Sequence, residues 1–467
     1  MLTYALNREH GPLYEDLYRR IRADILEGRL TPGEKLPSKR ALADHLKISK
    51  VTVETAYAQL AAEGYLRSRE KVGYFVEAVE QGRPMLPPEP LQAREEAGPV
   101  WAADLTANSM CAAPFPFSVW SRLLREVMLD YGEELLRPMP RHGALVLREA
   151  IAAYLYGFRS MRVSPDQILI GAGTDFLYNL LVQLLGRDQR YAVEDPGYGK
   201  IRQVYEASGA VCQTVPLDGD GVRMEGLAGA DVVHLSPSHH FPTGIVTPIR
   251  RRQALLEWAE AAPGRYLIED DYDSEFRLAG KPIPTLHSID HMGRVIYINT
   301  FSKSIAPSIR IGYLILPPEL MAQFRQRLGF YACTVPSFEQ YTLARFLSEG
   351  YFEKHINRMK KYYRTQRDQI IQALQEAGFA ARIAMEEQDA GLHFLVRVKT
   401  ERSDEELKAL CARAGVRIRC LSDYSLTAKV PPHCLVVNYS GFDGCEARAV
   451  VHRLERALEA EGKLGNR

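Results

Sequence analysis

The sequence is poor in cysteine. Its 467 residues hold seven, at 111, 212, 333, 411, 420, 434 and 445, with no pair in CxxC spacing. A disulfide framework and a cysteine zinc site both need close, repeated spacings, so neither is expected, and the scatter points to reduced thiols. Long apolar runs are missing as well. Nothing approaches the roughly 18 residues that a membrane span needs, and "MLTYALNREHGPLYEDL" has no basic start followed by an apolar core. The expected location is the cytoplasm, with no membrane partner. No excess of one charge marks the whole chain, which carries 59 Lys+Arg against 58 Asp+Glu. The small positive excess is local: residues 1 to 76 hold 13 Lys+Arg against 10 Asp+Glu, and the remainder 46 against 48. Charge of this size is weak support for nucleic-acid binding, because basic faces are commonly just solvated surface. Repeats of solenoid length are absent too.

What is present is a chain that is 46% hydrophobic, enough to fill two or three cores. One composition shift divides it. Residues 79 to 99, "VEQGRPMLPPEPLQAREEAGP", are rich in Pro, Glu and Gln without apolar periodicity and read as a semi-extended linker. The expected division is a small domain over 1–78, a linker over 79–103 and a large domain over 104–467. In the large part, apolar strand-like runs ("QILIGAG", "RYAVED", "DVVHLSP", "RYLIEDD", "RVIYINT") alternate with helical ones, which predicts an α/β domain on a mostly parallel sheet. From about residue 337 long helices and then shorter strands predict a smaller α+β lobe at the C-terminal end.

In the small domain, Leu13, Leu17, Ile21 and Ile25 line one helical face, and Gly28 offers a stop. Ser38 is placed to cap a helix running to about Lys47. Ser49 is placed to cap a second, with Val53, Tyr57 and Leu60 inward. Two short helices joined by a tight turn are what a helix-turn-helix needs to set a helix N-terminus into the major groove. "YLRSREKVGYFV" then reads as a hairpin turning at Lys71 and Gly73, a candidate wing. Periodicity alone also fits a three-helix dimerisation module.

The stretch "INTFSKSIAPSIRIGYLIL" places Lys303 between two serines in apolar surroundings, with Thr300, Ser302 and Arg310 close by. A lysine that forms a Schiff base needs a depressed pKa, and a cofactor phosphate needs donors and a fixed cation. Three other stretches supply what the ring of pyridoxal 5'-phosphate requires. "LIGAGTDFLYNLL" leads from a strand into a helix, so that the amides of Gly173 and Thr174 and the Thr174 hydroxyl can hold a phosphate. "YLIEDDYDSEF" ends a strand with Asp270, for the ring nitrogen, and Tyr272, for the ring oxygen. "VEDPGYGK" puts Tyr198 where its ring can lie against the cofactor. An acidic strand end is also a common metal site, but no histidine or second carboxylate spacing supports one, and no metal is expected.

The pattern "P-S-K-R-x-L-A-x-x-L-x-I-S-K-x-T-V-x-x-A-Y-x-x-L-x-x-E-G-Y-L" resembles the winged helix-turn-helix of the GntR family. The motifs "SPSHHFPTG", "EDDYDSEF", "TFSKS" with "PSIRIGY", and "PSFEQYTLARFLSEGYFEKHINRMKKYY" resemble fold-type I, class I aminotransferases over roughly residues 104 to 465. Together the chain resembles the MocR/GabR-type regulators. The resemblance implies DNA contacts from Arg40, Lys50, Thr52 and Gly73. It implies a Schiff base between Lys303 and pyridoxal 5'-phosphate, with Gly173, Thr174, Tyr198, Asp270, Tyr272, Thr300, Ser302 and Arg310 holding the cofactor. A homodimer is implied too, in which the head of one subunit lies over the large domain of the other.

Two departures concern the ligand. Where aminotransferases carry an arginine that grips the substrate carboxylate, alignment places Val436, and a valine forms no bidentate pair. Where they present an asparagine to the ring oxygen, Phe241 stands; His239 or His240 is a candidate substitute, and Lys200 a candidate attractor of an anion. The resemblance therefore implies a regulator that binds double-stranded operator DNA and senses an amino compound through external aldimine formation. An active aminotransferase with an appended DNA-binding head, and a sensor of the cofactor itself, remain as alternatives.

Overall fold

The computed structural model describes residues 2–6, 11–79, 101–106, 115–278, 283–386, 391–440 and 447–459. The chain divides into two units, Met1–Gly98 and Pro99–Arg467. In the first, helix α1 (Leu13–Leu26) buries Leu17, Ile21 and Ile25 on one face and stops ahead of Gly28, whose φ is +77°. Helices α2 (Lys39–Leu46) and α3 (Lys50–Ala62) each begin on a serine that accepts a first-turn amide: Ser38 from Ala41 and Ser49 from Thr52, both at 3.1 Å. Lys47 turns the chain between them in the left-handed conformation, φ +53°. Strands β1 (Leu66–Arg69) and β2 (Gly73–Val76) pair antiparallel as the expected hairpin, with Lys71 and Gly73 at positive φ in its turn. Val53, Ala56, Tyr57 and Leu60 of α3 meet Leu17, Ile21 and Leu42 in one core. The sequence region is thus a winged helix-turn-helix, and its caps are the reason its helices start where they do.

The larger unit begins with β3 (Ala103–Asp104), α4 (Phe117–Tyr131), α5 (Leu145–Arg159), β4 (Ile168–Gly171) and α6 (Thr174–Leu185). There follow β5 (Arg190–Asp195), α7 (Gly199–Ala207), β6 (Val211–Asp218), β7 (Gly221–Val222), β8 (Val232–Leu235), α8 (Ile249–Glu260) and β9 (Tyr266–Asp270). After α9 (Leu286–Ile289) come β10 (Val295–Thr300), β11 (Gly312–Ile315), α10 (Pro318–Arg327), α11 (Ser337–Ser348) and α12 (Tyr351–Glu376). The chain continues through β12 (Ile383–Glu386), β13 (His393–Val398), α13 (Asp404–Arg413), β14 (Val416–Arg417), β15 (Cys434–Asn438) and α14 (Ala447–Glu459).

The main sheet has the order β4-β11-β10-β9-β8-β5-β6-β7. Strands β10, β9, β8, β5 and β6 run parallel, while β11 is antiparallel to both β10 and β4, and β7 to β6. Helices cover both faces, so strands are apolar on both sides rather than alternating. Ile168, Ile170, Tyr313 and Ile315 belong to one core, while Leu169 and Leu314 between them belong to the opposite one. The smaller lobe carries the antiparallel sheet β12-β13-β15 with α12, α13 and α14 against it.

The Pro-rich stretch lies almost wholly outside the described residues. The linker was expected to end at 103. The amides of Ala102 and Ala103 donate to the Gly415 carbonyl at 2.9 and 3.2 Å, and β3 pairs parallel with β14, so residues 102 and 103 already belong to the large unit. Two residues are too few to leave a period in the sequence.

Candidate functional site

Because β5, β8, β9 and β10 are parallel, their carboxyl ends open on the same edge of the sheet, the edge where open α/β sheets hold ligands. A cavity of about 280 Å³ lies there, lined by residues following those strands, by the first turn of α6, and by Leu392, His393 and Asn438 of the smaller lobe. It brings together Thr174, Tyr198, Lys200, Asp270, Tyr272, Thr300, Ser302, Lys303 and Arg310, which are scattered over more than a hundred residues of sequence.

Burial holds the Lys303 ammonium down at about 8, with the Asp273 carboxylate pulling the other way. A lysine so placed carries a substantial neutral fraction near neutral pH, which an attacking amine needs. Asp270, at the end of β9, accepts from Tyr178 Oη at 2.6 Å and lies 3.3 Å from His234 Nε2, whose Nδ1 is 2.6 Å from Tyr205 Oη. Its other oxygen, Oδ1, is buried with no hydrogen-bond partner. A buried carboxylate oxygen left unpaired is costly, and a protonated ring nitrogen in the cavity satisfies it. At the far end, Gly173 has φ +83°, and a Cβ there would come within 2.7 Å of the Arg310 guanidinium. Only glycine leaves the close approach that a phosphate cradle requires. The residues present therefore fit pyridoxal 5'-phosphate: Asp270 for the ring nitrogen, Arg310 and the start of α6 for the phosphate, Lys303 for the aldehyde carbon.

Particular roles shift once the contacts are seen. The Gly173 amide donates to the Gly171 carbonyl at 2.8 Å, which leaves the first-turn amides that follow it in α6 as the donors open to the cavity. Thr300 Oγ1 lies 2.9 Å from Ser302 Oγ and 3.2 Å from the Ile311 carbonyl, which fixes both hydroxyls beside Lys303. Arg310, itself at φ +50°, is about half exposed and reaches the Ala172 carbonyl and Asp175 Oδ2, each at 3.5 Å. Lys200 is bound to Asp175 at 2.7 Å, so its charge is largely answered within the protein. Tyr198 caps α7 at the cavity mouth, its ring edge-on to Phe241 with centroids 6.1 Å apart. His239, a candidate substitute for the missing asparagine, is not among the cavity-lining side chains. Asp273 Oδ2 at 2.8 Å and Tyr272 Oη at 3.3 Å hold its Nδ1 behind the wall. Tyr272 itself lines the cavity, and burial keeps its phenol protonated, well above its ordinary pKa.

Residues at the site that were not singled out from the sequence include Glu194, Tyr178, His234 and Asp273. His234 had a signal, a polar residue inside the fully apolar strand "VVHL". Glu194 is buried in the cavity wall, accepting from the Ser236 amide at 2.9 Å, with His240 Nε2 at 3.4 Å; burial pushes its carboxyl up to about 8 and the His240 imidazole down to about 3. A raised folded-state pKa means the native protein keeps a proton that the unfolded chain releases above about 4.5. Stability is therefore fully present below that pH, falls as pH rises towards 8, and levels off beyond. Glu194→Gln is expected to flatten part of this decline in melting temperature between pH 5 and 8; an unchanged profile would remove Glu194 from its causes.

In the head, Arg40 and Lys50 are exposed, Lys50 as the first residue of α3, and Thr52 Oγ1 lies 2.8 Å from Ser49 Oγ. Gly73, φ +133°, opens the second strand of the wing, where a Cβ would approach Lys35 Cε to 3.2 Å. No group of three or more metal-ligating side chains occurs among the described residues, and none of their helices is long and apolar enough to cross a membrane.

Winged helix-turn-helix and lysine-bearing α/β cavity together define a DNA-binding regulator built around an aminotransferase fold that takes pyridoxal 5'-phosphate. Residues 13–76 match the gntR family of bacterial regulatory proteins, and residues 104–454 match aminotransferase class I and II. The chain is 37% identical to the HTH-type transcriptional regulator YdeL of Bacillus subtilis (strain 168), over 98% of this chain and 99% of that one. It is 31% identical to the probable rhizopine catabolism regulatory protein MocR of Rhizobium meliloti, over 97% and 96%. Among solved structures it is similar to a Pyrococcus horikoshii kynurenine aminotransferase, with TM-score 0.69 and 25% identity over 78% of this chain and 92% of that one. The chain belongs to the MocR-type HTH transcriptional regulators.

Proposed function

We propose that this regulator works in the cytoplasm as a homodimer on double-stranded operator DNA, and that its cofactor cavity is a sensor for a small amino compound. The cofactor supplies an aldehyde carbon that condenses with amines, so an effector amine competes with the Lys303 amine for one position. Lys303, released by that exchange, becomes a charged or proton-accepting group beside Asp273. Asp270 would pair with the protonated ring nitrogen, Tyr272 would donate its phenolic hydrogen to the ring oxygen, and Tyr198 would lie against the bound group. Arg40, Lys50, Thr52 and Gly73 are the DNA contacts of this reading. For a signal to reach DNA, the exchange must favour one arrangement of the dimer over another.

The observation that carries the sensor reading over turnover is Val436. It is buried with Leu395, Leu421 and Cys434, and Phe241 and Tyr424 pack against the same cluster. At the position where an aminotransferase carries its carboxylate-gripping arginine, this chain has an apolar side chain packed into that cluster. The test is visible absorption of the cofactor-loaded protein titrated with amino acids and amines, followed by an oxo acid. A stable shift for one ligand class, with no repeated cycling, is the expected result. Repeated interconversion driven by the oxo acid would make the chain a working aminotransferase.

A further inference from the structure

Four arginines border one concavity on the smaller lobe that shares no lining residue with the cofactor cavity. The cavity, of about 420 Å³, runs between α13 and α14 and is lined by Arg402, Leu410, Arg413, Ala414, Arg453, Arg456 and Ala457. Other arginines of the same lobe answer to carboxylates: Arg397 to Glu386 at 3.1 Å, Arg417 to Asp104 at 3.3 Å and Arg448 to Glu376 at 3.5 Å. Arg413, Arg453 and Arg456 have no carboxylate within ion-pair distance among the described residues. Arg453 Nη1 donates to the Ala414 carbonyl at 3.2 Å, which pins one guanidinium at the rim. The end of α13 accounts for a cation at Arg413, since helix C-termini favour one. The same preference places Arg456 in the last turn of α14, and Arg453 is tied to the C-cap carbonyl of α13, but neither contact uses up the remaining donors of these guanidiniums.

We propose that this groove is a second DNA contact, gripping the phosphate backbone of duplex DNA independently of base sequence. Arg413, Arg453 and Arg456 are exposed, so their mutual repulsion is screened by solvent, but their bidentate donors face one groove and suit an oxyanion ligand. The lining narrows the class of ligand. It has no aromatic ring to stack on a base and no side-chain acceptor to read one, so a nucleotide would be held by its phosphates alone. A run of backbone phosphates needs nothing more. Helix α13 has 10 residues, about 15 Å, and Arg402 and Arg413 of the lining stand at its two ends. One strand of duplex DNA presents about four phosphates over that length, at 3.4 Å of axis each. The chain already carries a head that binds duplex DNA, so this ligand is at hand whenever the head is engaged.

The experiment uses the full-length, cofactor-loaded protein and a mixed-sequence duplex of about 60 base pairs, with binding read by fluorescence anisotropy over a salt series. Arg413→Gln/Arg453→Gln/Arg456→Gln is expected to weaken binding at least tenfold near 0.1 M salt. The slope of log K against log salt should fall by about 2 to 3, at about 0.9 per phosphate contact. The corresponding triple lysine variant should retain most of the slope, since it keeps the charges. Arg413→Gln/Arg456→Gln leaves the Arg453 hydrogen bond in place and should lose about two-thirds of the effect, which separates charge from misfolding. Lys50→Ala in the head should weaken binding on its own, and adding the three glutamines should weaken it further. Affinity and slope equal to wild type in the triple glutamine variant would overturn the proposal. So would unchanged DNA binding together with loss of a thermal shift given by inorganic tripolyphosphate, which would make the groove a site for a small anion.

Discussion

Lys303→Ala is expected to abolish covalent attachment of pyridoxal 5'-phosphate: the purified variant should lack the visible absorption band and yield no cofactor adduct on borohydride reduction. The fold should survive. Lys303 already borders an open cavity, so truncation removes side-chain atoms without creating a new void in a packed core, and the transfer cost of deleting buried aliphatic groups is correspondingly small. Its ammonium is held near 8 by desolvation, so the native state gives up charge stabilisation to keep it there. Removing it relieves that cost and leaves Asp273 bound to His239. A melting temperature within a few degrees of wild type is therefore expected for the apo forms. Lys303→Arg sharpens the test, because it keeps a cation near Asp273 but supplies no nucleophile at ordinary pH. Reducible cofactor in either variant would assign the attachment to another residue. If DNA binding then ceases to respond to the effector while basal binding persists, the signal runs through this lysine.

How far this site could be read before its coordinates depends on whether the necessary residues lie close in sequence. Thr300, Ser302, Lys303 and Arg310 fall within one strand and one loop, and an apolar frame made the polar cluster stand out. Asp270 was legible as the charged end of an apolar strand. The head was legible for the same reason, since Ser38 and Ser49 act on amides three residues away and the wing turns within a few residues. What stayed hidden depends on sheet order. Tyr178 reaches Asp270 only because α6 and the end of β9 meet across strands 92 residues apart, and His234 joins them from β8. His239 was offered, with His240, as a candidate substitute for the missing asparagine; the contact that holds it comes from Asp273, a residue of another segment. The Gly173 amide is spent on Gly171 in a turn whose closure no residue pattern announces. The pairing of residues 103 and 104 with β14 was hidden for a different reason, because a two-residue strand has no periodicity to detect.

The largest loss of stability is expected at Asp271, next to the cofactor's carboxylate. Arg159, in the last turn of α5, forms an ion pair with Asp271 Oδ2, and both side chains are 2% exposed or less. Tyr297 Oη donates to the same oxygen at 2.7 Å, and Arg159 also binds the Ile283 carbonyl. Taking these charges out of water is expensive, so the intact pair contributes little net stability; breaking it by removing one partner leaves the other buried and unpaired. Asp271→Ala is expected to cost about 3 to 5 kcal/mol in the unfolding transition of the large unit. Asp271→Asn, which can still accept from Tyr297, should cost less. Arg159→Met/Asp271→Leu should recover most of the loss, because an apolar pair of similar volume carries no stranded charge. The site must feel the single substitution as well. Asp271 follows directly on Asp270, and its amide donates to the Ile298 carbonyl at 3.0 Å, so loosening it frees the end of β9. Cofactor affinity should therefore fall in Asp271→Ala and return in the double variant. A loss below 1 kcal/mol in the single variant would show that solvent reaches Arg159 once its partner is gone. A double variant as unstable as the single would show that packing, and not charge, is what Asp271 supplies.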